Sequence, residues 1–383
     1  MTHRVLHVID QTGPGGAQAI LYELLRDLKD EFSFGVAVLG TSGDYSAQYA
    51  DLGVPVYTLG SETNRWSPSP IVGLFTTIRR DNYALVHSHL FKATILGSAA
   101  GCWAGRKTLV HDHSGLYPAS LHYHVANPVV RTLYLAAYRR TLARCDGVVV
   151  LTEATRDAYL QAYAVDPSKL HVIPNGVDLH RFDHAVAAKG REGLLRTELR
   201  LSPDSRIVMM VGRLEREKDW ITFLKVAHEV QRRTSQPCAF VIVGSGTEEA
   251  SLRAAVQRQG LQEVVFLGHR TDVASLLSQA DVLLLTSRRE AFGLVVIEAM
   301  AAGCPVVATR SGGPEAIIHD EVNGLLADVG DVQGLAHHVL RLLQHEVLRQ
   351  QMAVRGQQLV MTQYSLPSVV DRMAGTYHRL LAA

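Results

Sequence analysis

This sequence predicts an α/β chain of two parallel-sheet domains, on three observations. Short apolar runs alternate with helical patterns along its whole length. The alternation pauses once, at Ile173-Pro174-Asn175-Gly176-Val177-Asp178, and then begins again. At 383 residues the chain is too long for one ordinary domain and comfortable for two.

The first series opens with a strand at Leu6–Ile9 and a turn at Gly13-Pro14-Gly15-Gly16. A helix follows, with Ile20, Leu21, Leu24, Leu25 and Leu28 on one face. Further strands are expected at Val36–Leu39, Leu85–His87, Thr108–His111 and Val148–Leu151. Proline and Asn-Gly then punctuate the chain, and a polar stretch runs to about Arg200, so the hinge is placed after Asp178. The second series has strands at Ile207–Val211, Phe240–Val243, Val264–Leu267, Val282–Leu285 and Val306–Ala308. Ser368–Ala383 carries Val369, Val370, Met373, Tyr377, Leu380 and Leu381 at helical spacing and reads as a packed terminal helix. The expected domains are therefore 1–178 and 179–365, with 366–383 as a helix that could pack back on the first.

Composition narrows the function classes. Hydrophobic residues make up 47% and charged residues 20%, which is globular. A formal net charge of +1 gives no argument for a nucleic-acid partner. The sign is uneven, however: Ser61–Cys145 holds ten Lys or Arg against three Asp or Glu. Such a segment suits an anionic substrate or membrane as well as an ordinary solvated surface. Cys102, Cys145, Cys238 and Cys304 form no CxxC and no zinc spacing, so buried reduced thiols and a cytoplasmic setting are expected. No signal peptide is read before the first strand, and no apolar run approaches the roughly 20 residues of a membrane span.

The chemistry concentrates in the second series. Glu290-Ala291-Phe292-Gly293-Leu294-Val295-Val296-Ile297-Glu298 follows a buried strand and opens a helix. Free N–H groups at Gly293 and Leu294 favour a phosphate, and Gly293 lets it approach the backbone. Glu298, a turn further in, can accept hydrogen bonds from two ribose hydroxyls. Glu290 can reach what the phosphate carries. Arg213 and Lys218, just after a strand end, suit a diphosphate leaving group. The plain alternative for them is a charged turn with local ion pairs through Glu215 and Glu217. Val243-Gly244-Ser245-Gly246 is a strand end that runs into a glycine turn able to pack against a base or phosphate.

In this order these elements resemble the retaining glycosyltransferases of family four (group one), over nearly the whole chain. Gly15-Gly16-Ala17-Gln18, His87-Ser88-His89, the Ile173–Asp178 stretch and Ala302-Gly303-Cys304-Pro305 add to the resemblance, and the Glu-x7-Glu of Glu290 and Glu298 is its most specific part. Gln18 departs from the Glu or Asp that many members carry there. The resemblance implies a GT-B fold, two Rossmann-like domains facing a central cleft, with the nucleotide-sugar donor held mainly by the C-terminal one. It implies that Arg213 and Lys218 neutralise the diphosphate and that Glu298 holds the ribose. The Gly293–Leu294 backbone would hold the distal phosphate, Glu290 would face the sugar hydroxyls, and Gly15 and Gly16 would admit the diphosphate. It matches the strand-end histidine beside the transferred sugar to His111, with His113 as runner-up.

The implied reaction moves a hexose-type sugar from a UDP- or GDP-sugar to an acceptor hydroxyl with retention. The leaving phosphate itself would take the acceptor's proton. No cofactor is expected beyond the donor, which is a substrate. The chain has no Asp-x-Asp triplet, so no metal is implied; two cationic side chains can serve instead. A dinucleotide oxidoreductase is disfavoured by the lack of G-x-G-x-x-G after the first strand, and a P-loop enzyme by the lack of its own signature. The remaining alternatives are a sugar epimerase of the same fold and a silent sugar-nucleotide-binding module. A glycan or lipid-linked acceptor is expected, and with it an enzyme peripheral to the inner membrane face. Trp66, Tyr117 and Tyr123, near Pro68, Pro70 and Pro118, join the basic excess in pointing there.

Overall fold

The computed structural model describes residues 2–13, 15–60, 70–113, 127–163, 165–182 and 194–382. Trp66, Pro68, Tyr117, Pro118 and Tyr123 lie outside them, as does Pro14. The chain divides into two compact units. One is Met1–Asn175 with Pro367–Ala383; the other is Gly176–Leu366. The boundary falls three residues before the expected hinge for a local reason. Val177 N–H donates to Tyr364 O, and Leu366 N–H to Val177 O, so this stretch is pinned to the second unit.

The first unit is built on a sheet of β1 (Arg4–Ile9), β2 (Ser33–Val38), β3 (Val56–Thr58), β4 (Leu85–His89), β5 (Lys107–His111), β6 (Gly147–Val150) and β7 (Leu170–Val172). Its order is β3-β2-β1-β4-β5-β6-β7, and every pairing is parallel. Strands such as Gly147–Val150 are buried at every position because helices cover both faces of a parallel sheet. The register sets His7 opposite His87 and His89 opposite His111, which puts four imidazoles on one face. The C-terminal helix, Leu366–Ala382, lays Tyr377 over them, edge-on to Phe32.

The second unit holds β8 (Arg206–Val211), β9 (Cys238–Val243), β10 (Val264–Gly268), β11 (Val282–Leu285), β12 (Val306–Thr309) and β13 (Leu325–Ala327). They run parallel in the order β10-β9-β8-β11-β12-β13. The strand order reverses between β1 and β4 in one unit and between β8 and β11 in the other. Ligands of open α/β sheets sit at the carboxyl ends of strands at such a reversal. Cys145, Cys238 and Cys304 are buried, but Cys102 is exposed. It corrects the expectation of four buried thiols, because it stands on the outer side of the Phe91–Trp103 helix, next to the exposed Trp103. No helix among the described residues is long and apolar enough to cross a membrane.

Candidate active site

The two loops that carry the expected donor residues leave the two strands at the reversal of the second sheet. After β8, Gly212 leads into Arg213, then a short 3-10 turn at Arg216–Lys218, then Asp219 in the left-handed region. Asp219 caps the Trp220–Arg233 helix and binds Arg288 Nε at 3.0 Å. After β11, Thr286 Oγ1 donates to the carbonyls of Lys218 and Asp219 at 3.2 and 3.0 Å, which binds this loop to the first. Glu290 N–H donates to Ser311 O, and Gly313 N–H to Glu290 O, so its backbone is held on both sides. Lys218 Nζ forms an ion pair with Glu290 Oε2, and both side chains are largely covered, at 16% and 14% exposure. Ser287 Oγ lies 3.3 Å from the same oxygen. The structure therefore brings Lys218 and Glu290 together from positions 72 residues apart.

Arg213 is different. Its guanidinium pairs with Glu217 at 2.7 Å, and its side chain is 67% exposed. The local ion pair of the plain alternative exists here, while Glu215 turns to Thr247. An exposed pair of this kind contributes little and yields readily to a better anion. Gly293, at φ 92°, is the N-cap of the Leu294–Ala301 helix, whose first N–H groups have no capping side chain. Glu298 projects from that helix; its carboxylate takes no hydrogen bond or ion pair among the described residues. Surrounding protein raises its pKa above the ordinary carboxylate value, and the charge of Arg181 opposes the shift. Gly244, at φ 137°, has a reason within the fold: a Cβ there would stand 1.9 Å from Gly212 O. The glycine lets the loops after β8 and β9 touch.

In the first unit, Gly15 is the N-cap of the Gly16–Leu28 helix. Gln18 folds back over Gly15, so that a Cβ would meet Gln18 Oε1 at 2.4 Å. Gln18 Nε2 donates to Gln11 O at 3.0 Å, and Gln18 is buried. His111 ends β5 and is 3% exposed; His113 follows, half buried, with the two rings stacked at 3.9 Å between centroids. His89 bridges the group: Nε2 is 2.9 Å from His7 Nδ1, and Nδ1 is 2.9 Å from His113 Nε2. His87 Nδ1 meets Tyr377 Oη at 2.7 Å. Burial keeps these rings neutral, pushing His113 down to about 4, His7 to about 3, and His87, His89 and His111 well below the usual 6.5.

Residues 14–181 match the model of glycosyltransferase family 4, and residues 193–359 match that of the glycosyl transferases group 1. The D-inositol 3-phosphate glycosyltransferase of Segniliparus rotundus is 30% identical over 71% of this chain and 67% of its own length. The chain belongs to the group 1 glycosyltransferases. This glycosyltransferase is also 27% identical, over 80% of its length and 78% of the relative's, to the Escherichia coli UDP-Gal:alpha-D-GlcNAc-diphosphoundecaprenol alpha-1,3-galactosyltransferase. Its structure superposes on that of Anabaena HepE in complex with UDP with a TM-score of 0.84, at 23% identity, over 98% of this chain and 100% of the other. WaaG, a glycosyltransferase involved in lipopolysaccharide biosynthesis, superposes with 0.79 at 17% identity, over 97% and 98%. The fold is GT-B, with two Rossmann-like units.

Three features of this glycosyltransferase escaped the sequence reading. Ser287 and Asp219 hold Glu290 and Arg288, and a lone polar residue after a strand gives no warning of that. Gly312-Gly313 seats the Ser311–Glu315 loop on the Glu290 loop, since a Cβ at Gly313 would lie 2.4 Å from Phe292 Cα. A glycine pair before Pro314 was a readable signal for that contact. His7, the inner end of the imidazole chain, looks like any strand residue until the register places it beside His87.

Proposed function

We propose that this glycosyltransferase moves a hexose-type sugar, with retention, from a nucleotide-sugar donor bound by the second unit. One observation carries the reading. Lys218 and Glu290, paired and largely covered beside the uncapped helix N-terminus at Gly293, meet where the sheet order reverses. A diphosphate competes with Glu290 for Lys218 and with Glu217 for Arg213. Breaking the sugar–phosphate bond puts negative charge on the diphosphate, where Lys218, Arg213 and the Leu294 N–H groups stabilise it. Displaced from Lys218, the Glu290 carboxylate accepts hydrogen bonds from the sugar hydroxyls. Glu298 takes the ribose. Retention follows if the leaving phosphate receives the acceptor's proton on the same face, and His111 stands with the transferred sugar.

The relatives favour a UDP-sugar: the E. coli enzyme is named for UDP-Gal, and HepE has been seen with UDP and UDP-glucose. The same E. coli name supports a lipid-linked acceptor and a place in cell-surface glycan or glycolipid synthesis. Exposed Arg79, Arg139, Arg140 and Arg144, with Val129 and Leu133 bare on the Pro128–Arg144 helix, support peripheral contact with anionic membrane. A thermal-shift panel of UDP, GDP and their sugar conjugates tests the donor. One nucleotide family should raise Tm in a concentration-dependent way; no shift from any of them would remove the reading.

A further inference from the structure

The first unit holds a cavity that the sugar chemistry does not use. It measures about 430 Å³ and lies at the sheet's edge, where β7 meets the Glu153–Tyr163 helix and the terminal helix. β6 separates it from His111 on β5. Three guanidinium groups from the two helices line it: Arg156 on one, Arg372 and Arg379 on the other. Thr376, itself buried, steadies Arg379, whose Nη2 donates to its Oγ1 at 3.0 Å. Arg156 Nη1 donates to Glu153 at 3.0 Å, while its Nε is buried with no hydrogen-bond partner among the described residues. Burial holds the His171 imidazole, in the same wall, below its usual pKa, and the charge of Arg379 pushes the same way. Ile173 N–H turns inward to Val150 O, so the alternation of the ladder turns Val172 N–H to the open edge. Gly375 forms the floor, in the interior of the terminal helix, where a glycine is unfavourable. Outside its own helix backbone, a Cβ there would meet only Arg379 Nη1, at 3.6 Å. Helix packing does not call for this glycine; the open space does.

We propose that this cavity binds a small phosphate monoester, a ligand separate from the sugar donor. Guanidinium forks match phosphate oxygens two at a time. Arg156 is tied to Glu153, so Arg372 and Arg379 are the charges that meet the dianion of a monoester. Arg156 Nε and Val172 N–H add neutral-geometry donors from the opposite walls. Asp371 faces the same space and opposes any larger negative charge, which disfavours a di- or triphosphate. The volume falls within the range of small-molecule sites and leaves room beyond the phosphate for the alcohol it is joined to.

The test uses the full-length chain and glycerol 3-phosphate, with no sugar nucleotide, so its outcome does not depend on the donor assignment. Calorimetry at fixed ionic strength reads the binding. The expected result is saturable binding of one equivalent, which excess UDP leaves in place. Arg372→Ser and Arg379→Ser should each weaken it roughly tenfold or more, the scale of one lost charge-assisted hydrogen bond. Gly375→Leu fills the floor and should abolish binding while the melting temperature holds or rises, since leucine is the better helix former. Arg232→Ser, at an exposed arginine of the second unit, should bind as the unaltered chain does. Vesicles containing phosphatidic acid compete with glycerol 3-phosphate if a lipid headgroup is the natural source, and leave it bound if a free ester is. The proposal is overturned if the unaltered chain shows no saturable binding, if UDP displaces the ester, or if folded Arg379→Ser or Gly375→Leu binds as tightly.

Discussion

Glu298 stands a turn inside the Leu294–Ala301 helix with a carboxylate that burial holds at a raised pKa, against the opposing charge of Arg181. A group kept in that state is suited to accept hydrogen bonds from a ligand's hydroxyls. Each bond to a charged group is worth about 1.5–3 kcal/mol. Glu298→Ala should therefore weaken nucleoside-diphosphate binding roughly 10- to 100-fold by calorimetry, and unchanged affinity would move the ribose elsewhere. Arg213 differs in kind, because its partner Glu217 is exposed and the pair is local. Arg213→Ala should lower turnover by about 2 kcal/mol in transition-state terms while leaving the melting temperature nearly untouched. A loss of stability without a loss of rate would make it the plain charged turn.

At the scale of elements, the terminal helix is held to the first unit through a buried bond, Tyr377 Oη to His87 Nδ1 at 2.7 Å. His87 Nε2 already lacks a partner. Tyr377→Phe leaves the whole ring unsatisfied and should cost about 1–3 kcal/mol in urea unfolding; a neutral effect would mean the ring is satisfied in another way. The central strands were legible through short apolar runs, from Leu85-Val86 in β4 to Ile207–Val211 in β8. β3, β7 and β13 were not, since each is three residues long and sits at a sheet edge, too short for a periodic signal. The Glu290 loop was legible through its glycine and paired glutamates. Its bond to Lys218 was not, because the contact spans 72 residues and exists only once β8 and β11 are neighbours. That His7 and His111 face His87 and His89 was equally invisible, being a product of cross-strand register.

For the molecule as a whole, buried neutral imidazoles make stability depend on acid. His7, His87, His89, His111 and His113 all have folded pKa values below 6.5. The unfolded chain therefore binds more protons below about pH 6.5. Stability falls as pH drops through that value, by about 1.4 kcal/mol per pH unit for each ring that stays neutral, until the folded values are reached near 4 for His113 and 3 for His7. Unfolding midpoints should decline steeply between pH 6.5 and 5, and a flat profile there would contradict the burial. The basic face makes a second prediction at this scale. Anionic vesicles should co-sediment the chain at low salt, and changing Arg79, Arg80, Arg139 and Arg140 to Ser should reduce this, each charge being worth roughly 1 kcal/mol. Arg80 should matter least, since Asp81 already pairs with it at 2.7 Å. Equal binding to neutral vesicles would point to an apolar contact instead.

On the proposed function, the second unit activates a nucleotide-sugar through Lys218. Release of nucleoside diphosphate from a panel of UDP- and GDP-sugars, compared between the unaltered chain and Lys218→Ala, tests it most directly. The expected result is release from one donor by the unaltered chain. The folded variant should be slower by about 2–4 kcal/mol in transition-state terms, roughly 30- to 1,000-fold. No release from any donor, or an equal rate in the variant, would contradict the account.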